Sequence, residues 1–74
     1  MKKLGDLIQD RLYPEDIAII IQDDELREDV CVFWLAGHTV GQTSREKRDW
    51  IEKDFDLLSS AKKEIAKNLV EKEI

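Results

Sequence analysis

The chain has 74 residues, 17 acids against 12 lysines and arginines, and a net charge of −5, which leaves room for one small acidic domain. A chain this short buries only about 60% of the surface it exposes when unfolded, so domains of its size often depend on disulfides, metal or self-association. One cysteine, Cys31, excludes an intrachain disulfide, one histidine beside it is too few for a structural zinc site, and 42% hydrophobic residues exclude a disordered tail.

Lys2 and Lys3 have no apolar core behind them, which predicts no export signal, and no later run nears the roughly 18 apolar residues that cross a bilayer. Together with a lone cysteine at an apolar position, this predicts a cytoplasmic protein with no membrane contact. Leu4, Leu7, Ile8 and Leu12 then fall on one helical stripe and predict a helix over residues 3–12. Gly5 weakens that helix by about 1 kcal/mol, and Tyr13-Pro14 ends it, because proline lacks the N–H and pushes its predecessor out of the α region.

Two strands follow, at residues 17–22 and 30–36, both rich in β-branched and aromatic residues. Neither alternates apolar with polar, so both faces of the hairpin require cover. The connector holds Asp23, Asp24, Glu25, Glu28 and Asp29 against Arg27 alone and belongs in water. Beyond it, Gly37 either turns the chain into a third short strand at Thr39–Gln42 or bulges the second strand, and the turn is preferred.

Thr43-Ser44-Arg45-Glu46 matches a capping box and predicts that a helix starts there. The apolar stripe from Trp50 and Ile51 through Phe55, Leu58, Ile65 and Leu69 extends it to about Glu71, as one helix or as two broken near Ser59 and Ser60. The expected fold class is therefore α+β: an N-terminal helix, an antiparallel hairpin of two or three strands, and a C-terminal helix or helix pair packed on the sheet.

The charge is unevenly distributed: residues 1–35 hold nine acids against four bases, whereas residues 36–74 are neutral. Direct nucleic-acid binding is not expected, since it depends on lysine and arginine neutralising phosphates. A calcium loop is not expected either: the acids at 23–25 are contiguous, no glycine follows and Arg27 interrupts. Cys31 and His38 lack a third group to orient them, so a structural cysteine and a turn histidine are the plainer reading, and no catalytic activity, cofactor or metal is expected. The basic cluster Arg45, Lys47, Arg48 and Lys53 reads as paired with Glu46, Asp49, Glu52 and Asp54 on one helix. The plainer reading of Trp34 and Trp50 is core packing, although tryptophan is also enriched at interfaces.

These features predict a binding or inhibitor protein that turns Asp23, Asp24, Glu25, Glu28, Asp29 and Trp34 toward a basic protein partner, one that itself binds nucleic acid being a suitable target. The alternative is an assembly module that forms a homodimer through the edge of its hairpin. The segments Leu4-Gly5-Asp6-Leu7-Ile8, Pro14-Glu15-Asp16-Ile17 and Asp23-Asp24-Glu25 give the chain an architecture that resembles small accessory proteins of phages and mobile elements. Some of those inhibit bacterial defence systems, anti-CRISPR proteins among them. The resemblance implies an inhibitor and carries no functional residue over.

Overall fold

The isoleucine- and valine-rich segments pair as the expected hairpin, but they form the middle of a larger sheet. The computed structural model describes residues 2–59, in which five strands and one helix follow one another: β1 (Leu7–Asp10), β2 (Ile17–Gln22), β3 (Asp29–Ala36), β4 (Thr43–Lys47), α1 (Arg48–Asp54) and β5 (Phe55–Ser59). The sheet is antiparallel in the order β4-β3-β2-β1-β5. Four strands run as a meander, and α1 carries the chain from one edge of the sheet to the other.

This corrects the α+β expectation in three places. Residues 7–10 are a strand where a helix was expected. Gly5 adopts φ +88°, and carboxylates bind nearby backbone N–H groups: Asp6 Oδ2 takes Lys3 N at 2.9 Å, and Asp10 Oδ1 takes Leu12 N at 2.9 Å and Tyr13 N at 3.2 Å. Such local bonds compete with a helix, and β1 gains ladders on both sides, with β2 and with β5. Its side chains alternate, so Ile8 is buried on one face while Leu7 lies on the other, and Leu12 is left 75% exposed.

The second correction is the capping box. Thr43–Lys47 is an edge strand in which Ser44 and Glu46 share a half-buried face. Ser44 Oγ accepts from Trp34 Nε1 at 2.9 Å across the sheet and donates to Glu46 Oε2 at 2.7 Å, so the glutamate of the expected box bonds along the strand. The helix starts later, at Arg48, without a side-chain cap, but with Asp49 in its first turn and Lys53 in its last, each suited to the helix dipole. It ends where Phe55 turns to φ −118°, ψ 142° and becomes fully buried. The expected helix beyond Ser59, residues 60–74, lies outside the described residues.

The third correction is at Thr39–Gln42, which is the turn between β3 and β4 and not a strand. Gly37 at φ +98° and Gly41 at φ +84° supply its left-handed positions, and Gly41 N donates to Trp34 O at 2.8 Å while Trp34 N donates to Gln42 O at 2.9 Å. The hairpin has no free edge as a result, because β1 covers β2 and β4 covers β3. Self-assembly through that edge is closed within the chain.

Both faces of the hairpin are apolar and both are packed. On one, Ile8, Ala18, Ile20, Val30, Val32 and Trp34 are closed over by Ile51 of α1 and Phe55 of β5. On the other, Ile19 and Ile21 pack with Leu4, Leu7, Cys31 and Phe33. Each large aliphatic side chain so buried contributes roughly 1.5–3 kcal/mol, which is how so short a chain holds a defined sheet.

Candidate binding groove and a neutralised acidic loop

The acidic connector between β2 and β3 meets arginines from β4 and α1. Arg48 reaches over it, with Nη2 lying 2.7 Å from Asp23 Oδ1 and donating to the carbonyls of Asp24 at 3.0 Å and Arg27 at 3.2 Å. Both side chains are largely buried, Asp23 at 9% and Arg48 at 16% exposure. The two charged groups form an ion pair. Contact with Asp23 lifts the guanidinium above the ordinary arginine value, burial opposes the rise, and the Glu52 charge adds to it.

Asp29 is claimed in the same way. Arg27 Nε donates to its Oδ1 at 2.9 Å and Arg45 Nη1 approaches at 3.4 Å. The bond from Arg27 holds the Asp29 carboxyl below the usual carboxylate range. Asp24 Oδ1 accepts from Leu26 N at 3.0 Å, which shapes the turn. Of the five acids expected to meet a partner, Glu25 and Glu28 are exposed with no side-chain partner among the described residues, and they sit beside Arg27, Lys47 and Arg48. Two members of the basic cluster, Arg45 and Arg48, thus pair with the distant acidic loop. Trp34, expected as a contact, is 6% exposed and packs near Phe55, with ring centroids 6.1 Å apart. It is a core residue whose remaining surface lines a hollow beside Ser44 and Glu46.

An uncompensated acidic surface lies elsewhere, between the loop joining β1 to β2 and helix α1. There Leu12, Tyr13 and Trp50 line a groove of about 410 Å³ with Asp10, Arg11 and Asp54. A second hollow of about 270 Å³ adjoins it, sharing Asp10 and Trp50 and adding Asp16, His38 and Glu46. Trp50 stands edge-on to Phe55 at 4.8 Å, which fixes its ring while leaving it 36% exposed. Tyr13, half exposed, meets the His38 ring edge-on at 6.3 Å.

Four carboxylates, from Asp10, Asp16, Glu46 and Asp54, thus face one arginine. That arginine, Arg11, is turned outward to Asp56, with Nε and Nη2 each 3.0 Å from Oδ1. The Asp54 carboxylate has no partner among the described residues. The walls are held by local bonds: Asp10 by the two N–H groups named above, and Asp16 by His38, whose backbone N donates to Oδ1 at 3.0 Å with Nδ1 at 3.2 Å. A Cβ at Gly37 would run into the Asp16 carboxylate, so glycine there allows loop and turn to close together.

Glu15, Asp16 and His38 place three potential metal-ligand atoms within 4.8 Å of one another. Asp16 Oδ1 already serves both His38 nitrogens, and the group acts as the latch between loop and turn. Cys31 lies near the start of β3 and His38 in the turn beyond its end, so the structure does not bring them together as nucleophile and base. Comparison with protein families, curated proteins and solved structures returns no match, so the groove is read from its own chemistry. Its residues were hard to see in sequence because Tyr13 and Trp50 meet only through the fold. The one local signal was an apolar pair, Leu12-Tyr13, set among acids. No helix among the described residues is long and apolar enough to cross a membrane.

Proposed function

We propose that the protein is a non-catalytic binding module that takes a basic segment of a protein partner into the groove between Tyr13 and Trp50. One observation carries this reading: the groove gathers four carboxylates without matching cations beside aromatic rings left open to solvent. Carboxylates steer and hold lysine or arginine, and aromatic faces add cation–π attraction of about 0.5–1 kcal/mol at exposed sites. An inhibitory role follows where the captured segment is one the partner uses to bind nucleic acid. The cytosol is the proposed location, on the ground that the chain holds a single cysteine.

The test is titration of the labelled protein with an arginine-rich octapeptide, followed by amide chemical shifts. Shifts should centre on residues 10–16 and Trp50. The double change Glu46→Gln and Asp54→Asn should weaken binding about three- to tenfold, most at low salt, whereas Glu25→Gln with Glu28→Gln should leave it nearly unchanged. Shifts that centre instead on residues 23–29 would return the contact to the acidic loop.

A further inference from the structure

Resting on that reading, we propose that the groove recognises two residues of its partner at once, an apolar side chain in one hollow and a cation in the other, in an extended segment. The two hollows differ in chemistry although they share Asp10 and Trp50. In the larger, Leu12, Tyr13 and Trp50 form an apolar wall, and the arginine of its lining, Arg11, is already paired outward with Asp56. Leu12 and Tyr13 are the most open large apolar side chains of this surface, at 75% and 51% exposure, and an apolar partner side chain removes their surface from water.

The smaller hollow has no arginine or lysine in its lining, Asp16 and Glu46 both line it, and Asp10 is shared by the two hollows. Glu46 is half buried and spends Oε2 on Ser44, leaving Oε1 for a ligand. A lysine or arginine stem can lie along the exposed part of Trp50 and bring its head to these carboxylates. Because the hollows abut, one short stretch of chain fills both. In an extended strand, side chains two residues apart point the same way and stand about 7 Å apart. The preferred segment is therefore an apolar residue, a spacer and a basic residue.

The test uses capped heptapeptides with glycine flanks and the core Leu-Gly-Arg, Ser-Gly-Arg, Leu-Gly-Gln or Arg-Gly-Arg, titrated against the protein and against Leu12→Ser and Glu46→Gln. Leu12 is exposed, and glutamine still accepts from Ser44, so both variants are expected to fold; circular dichroism checks this. Leu-Gly-Arg should bind about tenfold more tightly than either singly altered peptide. Leu12→Ser should weaken Leu-Gly-Arg and leave Ser-Gly-Arg unchanged, and Glu46→Gln should weaken Leu-Gly-Arg and leave Leu-Gly-Gln unchanged. If Arg-Gly-Arg binds as tightly as Leu-Gly-Arg, or each variant weakens all peptides alike, the two-point recognition is wrong while the basic-segment reading stands. If no peptide perturbs the groove at millimolar concentration, both are wrong.

Discussion

Residues 23–29 and residues 10–16 are both acid-rich loops that leave β2, one from each end, and the fold treats them in opposite ways. The first looks the more charged, yet Arg27, Arg45 and Arg48 converge on Asp23 and Asp29 and fasten its backbone. The second carries fewer acids, but its one arginine faces away and its carboxylates line an open groove with aromatic walls. The comparison shows that a run of charge in a sequence does not locate a charged surface. What matters is where the opposite charges arrive once the strands are paired.

The strongest way to break the comparison is to remove the fastening. Arg48→Ala leaves Asp23 buried without its cation and two carbonyls without a donor, and should cost about 3 kcal/mol by urea denaturation. A loss under about 0.5 kcal/mol would mean that the acidic loop is as open as the groove and that the contrast is false. A smaller effect is expected on the other side, at the latch. Gly37→Ala places a side chain at φ +98° against the Asp16 carboxylate and should cost about 2 kcal/mol, with shift changes in Tyr13 and His38. Unchanged shifts there would show that Asp16 does not tie loop to turn.

The smallest effect concerns pH. Asp29 has its folded pKa depressed by Arg27, so its contribution is fully present above the unfolded carboxylate range near pH 4 and fades as pH falls through the lower folded value. Asp29→Asn should therefore flatten the loss of stability as pH falls below about 4. Parallel curves for the two proteins would assign acid sensitivity to other carboxylates. The exposed site keeps this contribution small.

Where side-chain type alone decides structure, the sequence was readable: Ile17 to Ile21 and Val30 to Leu35 are strands because β-branched and aromatic residues favour a buried sheet. Where periodicity had to decide, it misled. Leu4, Leu7, Ile8 and Leu12 fit a helical stripe by coincidence, since Leu7 and Ile8 take opposite faces of β1 and Leu12 none. Thr43 and Glu46, three residues apart, match a capping box, but Glu46 shares a strand face with Ser44 and accepts from its hydroxyl, which also takes Trp34 Nε1. The pairing of Arg48 with Asp23 and the meeting of Tyr13 with Trp50 depend on strand order, which neither propensity nor spacing encodes.

The strand order also bears on how the chain acquires its shape. β1 is an early element in the chain, yet one of its two ladders is made by β5, and the contact of Arg11 with Asp56 joins residues 45 apart. A chain emerging from its N-terminus can complete the β1–β2 hairpin at once but holds an open backbone edge until Phe55 arrives to pair with Asp10. Closing that distant ladder sacrifices loop entropy before burial rewards it, which makes the last pairing the slow one. The residue that ends this wait, Phe55, is also the one that seats Trp50, so the groove cannot exist before the sheet is whole.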